Sequence, residues 1–196
     1  MASASSNTTS TRTLLLVLGG ITLLSVLFRT VPGLHIWNNF SPVGALALFS
    51  GALLWNKKWM FVFPIAAMLI SDTIKEIVAP GTGFYADISY VYASFFVILF
   101  LGMLIRNNKR PVAIFGASVL GSVLFFLITN FGAWMSNSGT SLILYTHDIN
   151  GLMKCYGEGL PFFKGTLSSD LLFNAIFFGG YYLFAQNKAE LSTVKN

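Results

Sequence analysis

The chain alternates long apolar runs with short polar breaks. Ile, Leu, Val, Phe, Ala and Gly dominate Leu14 to Phe28, Val43 to Trp55, Phe61 to Ile70, Val91 to Ile105, Pro111 to Phe131 and Leu171 to Ala185. The runs are continuously apolar rather than alternating, which predicts helices and not the strands of a β-barrel. Six such helices leave no room for a separate soluble domain. The expected domain plan is a tail over 1–12, one six-helix domain over 13–187 and a C-terminal tail over 188–196. Met1 to Thr13 is rich in Ser and Thr, which predicts a disordered tail.

Composition turns this pattern into a statement about solvent. The chain is 55% hydrophobic and only 10% charged, where a soluble domain carries roughly a quarter charged residues. The reading is an all-α integral membrane six-helix bundle, with the lipid bilayer as its first partner. The net charge of +5 belongs to helix ends and not to a nucleic-acid surface. With both termini on one side, eight basic residues fall on that side and four on the other. That asymmetry places the termini in the cytoplasm, because cations are retained there. Arg12 before Leu14 to Phe28 has the look of a signal peptide, but Arg29-Thr30-Val31-Pro32 is a poor cleavage site, so the segment is read as a retained helix.

The breaks on the cytoplasmic side are short and cationic, as in Arg106-Asn107-Asn108-Lys109-Arg110. The opposite breaks are longer. In the first, Ser41 reads as N-cap of a helix with Pro42 in its first turn. Ala47 and Gly51, four apart, form a face for close helix contact. Asp72, Lys75 and Glu76 form a polar edge at the outer end of the third run, as an ion pair or as a ligand contact. Ala113, Ala117 and Gly121, with Ser118 and Ser122, read as a packing face. Asn130 and Trp134 lie one turn apart and suit a site mouth. In the Met135 to Gly165 loop, Thr146 or Asp148 caps a short amphipathic helix bearing Ile149, Leu152, Met153 and Tyr156. Gly157, Gly159 and Pro161 are expected to end it, leaving a helix that lies on the membrane surface or folds over the bundle as a lid. Thr166 then caps the last helix, which carries Asp170 and Asn174 on one face. The single Cys155 excludes an internal disulfide and reads as a small hydrophobe or a metal ligand.

Phe40-Ser41-Pro42-Val43-Gly44-Ala45, Pro64 to Asp72, Thr129-Asn130-Phe131-Gly132-Ala133-Trp134, and Cys155-Tyr156-Gly157-Glu158-Gly159-Leu160-Pro161 with Asp170 resemble an uncharacterised group of bacterial six-helix membrane proteins. That group is similar to the S components of energy-coupling-factor vitamin transporters. The resemblance implies a ligand pocket toward the outer face, closed by outer loops, with Asn39, Asp72, Asn130, Trp134, Glu158 and Asp170 as its polar positions. The first helix departs from those S components. It offers only Gly19-Gly20 and Ser25 where small residues spaced by four dock on an energising module. A solitary transporter or another membrane partner stays open.

Three functions are therefore expected in order. The first is capture and uptake of a small vitamin-like molecule, with energy from a module or from the solute gradient, and release by rearrangement or tilting of the bundle. The second is an accessory subunit of a larger membrane complex. The third, an enzyme using Glu158 and Asp170 as acid and base, is set aside: no histidine lies in a span, and His35 and His147 lack ligand spacing. No catalytic residue, cofactor or metal is assigned.

Overall fold

The structure is a computed structural model that describes the backbone of residues 2–34, 37–137 and 145–193, and the side chains of these except 2–12, 57 and 185–193. Six helices follow one another: α1 (Ala2–Thr30), α2 (Val43–Leu53), α3 (Lys57–Val78), α4 (Ile88–Leu104), α5 (Pro111–Ser136) and α6 (Ile149–Thr193). The described residues contain no strand. Each apolar run of the sequence lies in or overlaps one helix.

The packing is organised around the shortest helix. α2 touches all five others, and Val43 to Ala52 are buried without a break. At 1.5 Å per residue its 11 residues reach ~16 Å, about half of a ~30 Å hydrocarbon layer. It is the inner element of the bundle. Small residues allow this centrality. A β-carbon at Gly51 would collide with the Leu99 carbonyl, and one at Gly102 with the Leu48 carbonyl. α2 and α4 therefore cross backbone against backbone, as the Ala47/Gly51 spacing predicts. Phe49 fills the adjoining space against Phe177, Phe178 and Tyr181 of α6.

Six helices were expected and six are present. Among the described residues, Thr13–Thr30 and Pro111–Ser136 are long and apolar enough to traverse a membrane; Val43–Leu53 and Ile88–Leu104 are apolar but shorter. The outside of the bundle is nevertheless greasy. Leu16, Leu23, Phe100, Val112, Phe115 and Ile176 are all more than half exposed. A soluble monomer rarely shows so much contiguous apolar surface.

The connections gather at two ends. At one, Arg106 donates to the Gly51 and Leu54 carbonyls and lies over the Trp55 ring, closing the far ends of α2 and α4. At the other, Arg29 of α1 meets Ser71 and Asp72 of α3, and the 37–42 and 79–87 connections lie beside them. Two local expectations need correction here. Pro42, not Ser41, occupies the N-cap of α2 and has no side chain to donate to or accept from. The short amphipathic helix and the last span are one element: α6 runs through Gly157, Gly159, Pro161 and Thr166 without a break. Thr166 is not a cap, since its hydroxyl donates back to the Phe162 carbonyl inside the helix. Asp148 does act as a cap, accepting the Gly151 amide at 2.7 Å.

Candidate functional site

A polar cavity of about 420 Å³ opens at the Arg29 end of the bundle. Five helices, α4 through Val91 among them, and three connections build it. α1 supplies Arg29 and α3 supplies Lys75; the 79–87 connection supplies Tyr85 and Asp87. α5 supplies Phe125, Thr129, Asn130 and Ala133, while Cys155, Glu158, Gly159 and Phe162 come from α6. Asn39 and Tyr145 complete the wall from the connections. A smaller void of about 40 Å³ lies beside it, shares Arg29, Asn39 and Phe125, and reaches Asp170.

The nominated residues divide into three kinds. Asn39, Asn130 and Glu158 line the cavity. Asn39 adopts a left-handed backbone, φ +60°, a conformation Asn tolerates better than most residues. The Asn130 amide donates to the Phe126 carbonyl at 2.8 Å, and its side chain occupies the space a β-carbon on Gly159 would need. Glu158 accepts the Tyr145 hydroxyl at 2.7 Å and lies 4.0 Å from the Lys154 ammonium. Tyr145 thereby ties the start of the 145–148 segment to α6 at the cavity wall. Burial, and then this hydrogen bond, push its phenol pKa upward.

Asp72 and Asp170 stand behind the wall. Asp72 is 1% exposed and pairs with the Arg29 guanidinium. Tyr92 donates to its other oxygen at 3.0 Å, and Lys75 lies 3.9 Å away. The expected Asp72–Lys75 pair is therefore the weaker part of a larger cluster centred on Arg29. Asp170 accepts the Ser122 hydroxyl at 2.7 Å, and Asn174 donates to the Ser118 hydroxyl at 3.0 Å. The two i, i+4 pairs lock α5 to α6 in register. Ser118 and Ser122 are thus polar partners and not only packing residues. Asp170 also abuts Gly44, where a β-carbon would collide with its carboxylate.

Trp134 lies outside the cavity. Its indole donates to the Thr146 carbonyl at 2.9 Å and its ring packs on Phe131 and His147, so it holds the 145–148 segment. Glu76 likewise serves a loop, accepting the Gly81, Gly83 and Phe84 amides. His35 lies outside the described residues.

Sequence reasoning did not nominate Arg29, Tyr85, Asp87 or Tyr145. Arg29 and Asp87 flank apolar runs, where a charge reads as an interface anchor or a cap. Only the meeting of distant chain segments distinguishes them. Tyr85 is half-hidden at the rim, and burial raises its phenol to about 12, a rise that Arg29 opposes and Asp87 adds to.

Residues 8–192 match the family of unknown function DUF6580. The match spans nearly the whole chain, and the protein belongs to that family. No curated protein and no solved structure gives a significant match.

Proposed function

We propose that the protein is a membrane solute-binding or uptake protein that takes a small molecule into the cavity at its Arg29 end. The observation that carries this reading is the cavity itself. Its volume of about 420 Å³ lies in the range of small-molecule sites, ~300–1,000 Å³. Ionisable groups from separate helices converge on it in a bundle whose flanks are apolar, and such groups in membranes mark solute pathways. In this reading the exposed Leu and Phe side chains face lipid. Most helices traverse or enter the bilayer around the inner α2, and the cavity faces away from the cytoplasm. The Tyr145–Glu158 contact closes the mouth over the solute. Similarity to vitamin-transporter S components belongs to this proposal and suggests a vitamin-sized solute. An accessory subunit would have little use for such a volume, which argues for capture over scaffolding.

The test is native mass spectrometry of protein extracted gently from its own membranes, beside Ala133→Trp, which fills the cavity from its wall. A small-molecule adduct on the parent protein and none on the variant is the expected result. A bare parent protein whose melting temperature no solute of any charge raises would overturn the reading.

A further inference from the structure

Three cations and three carboxylates stand in or behind the cavity wall, and they are unevenly paired. Arg29 and Lys75 both face Asp72, which is buried behind them. Glu158 has the Tyr145 hydroxyl and the Lys154 ammonium. Asp87 has nothing. It lines the cavity and is 7% exposed. It stands at the N-cap of α4 but makes no side-chain cap hydrogen bond. Among the described residues no donor and no cation reaches its carboxylate, while the backbone carbonyl of Asp87 is satisfied by the Tyr90 amide. Its carboxylate oxygens are not sealed off, so with no protein donor the open cavity is what they face. The Ile88 and Tyr90 amides beside it are taken by the Tyr85 and Asp87 carbonyls.

We infer that Asp87 is the recognition carboxylate for a positively charged amine on the solute. The inference rests on the proposed solute-binding role and names its substrate class: a small organic cation or zwitterion whose ammonium fills the place opposite Asp87. Glu158 lines the same cavity and adds negative potential, and the Tyr85 and Tyr145 rings offer aromatic neighbours to a cationic head. Arg29 is held by Asp72 and would have to leave it to meet an anion, whereas Lys75, 3.9 Å from Asp72, is free enough to meet the acid group of a zwitterion. No bond is made or broken in this step. The amine arrives protonated and leaves protonated.

The experiment uses the full chain in detergent and measures melting temperature and affinity by calorimetry. The probes, at millimolar concentration, are putrescine, agmatine and β-alanine as amines, succinate and inorganic phosphate as anions, and magnesium chloride as a simple cation. At least one amine should stabilise the parent protein, and Asp87→Asn should weaken that amine by tenfold or more, the loss of one charge-assisted contact. Without ligand, Asp87→Asn should melt no lower than the parent, since it removes an uncompensated charge. A residue with a purely structural duty would show the reverse. Asp87→Ala serves as a second variant should the amide disturb the loop.

Stabilisation by succinate or phosphate and by no amine would overturn the inference while leaving solute binding intact. Amine binding indifferent to Asp87, a response to magnesium alone, or no response to any amine would overturn it equally. Failure of the underlying reading looks different: the natively extracted protein then carries no small molecule at all.

Discussion

Arg29→Met tests whether the Asp72 cluster holds the Arg29 end of the bundle together. The substitution keeps a long side chain and removes the charge. Asp72 is 1% exposed and Arg29 14% exposed, so the pair is largely shielded from water. Breaking a buried pair from one side costs ~3–5 kcal/mol, because the remaining charge is stranded. Here Tyr92 still donates to Asp72 at 3.0 Å, and Lys75 at 3.9 Å offers a partial counter-charge. Both push the expected loss to the low end, about 3 kcal/mol. For a chain of this length each kcal/mol moves the melting point by ~2–4 °C, so the expected drop is roughly 6–12 °C. Asp72→Asn should cost less, since Arg29 reaches the wet cavity and can be solvated there. The double change Arg29→Met with Asp72→Leu removes both charges and should recover most of the loss. Fluorescence-detected melting in one detergent at one scan rate reads all three. An Arg29→Met protein melting within about 2 °C of the parent would refute the argument. So would a double variant no better than the worse single one.

Gly102→Ala should destabilise by about 1–3 kcal/mol, because the α2–α4 crossing has no room for a methyl group; unchanged melting would mean the two helices are not in backbone contact. Ser122→Ala removes the only side-chain donor given to Asp170 among the described residues and should cost about 1–3 kcal/mol, read the same way. Tyr145→Phe releases the strap from Glu158. It should speed maleimide labelling of Cys155, which lines the cavity, and equal labelling rates would show that the strap does not guard the mouth. Asp148 is held below its ordinary pKa of 3.8 by the Gly151 amide and then by the Thr146 hydroxyl. Its cap therefore stabilises α6 above that ordinary value and is lost as pH falls through the depressed one. Melting curves of the parent and Asp148→Asn should differ at neutral pH and converge in strong acid; a gap that widens on acidification contradicts the assignment.

The helices were legible because each apolar run is long and continuous, and the Ala47/Gly51 spacing revealed a close contact. Two features were not legible, each for a physical reason. Glycine and proline near 157–161 read as helix breakers, yet Gly159 is there because the Asn130 side chain needs its space, and Gly165 because the Asn38 carbonyl does. Contact glycines and terminating glycines look alike in one dimension. The cavity was half legible. Asn39, Asn130 and Glu158 were found as polar residues in apolar surroundings, whereas Trp134 has the same signature and serves a loop. Arg29 and Asp87 sit where charges are expected anyway, so nothing along the chain sets them apart. The centrality of α2 was hidden too, since a short buried helix and a short crossing share one composition.

The unbroken course of α6 has one mechanical consequence. Pro161 carries no amide, so the Gly157 carbonyl lacks its usual donor four residues on. The rod, ~67 Å long, therefore has a built-in hinge. The arm before it bears Cys155, Glu158 and Gly159, and the arm beyond it is bolted to α5 through Asp170 and Asn174. Flexing at that joint swings one wall of the chamber outward and leaves the bolts fastened.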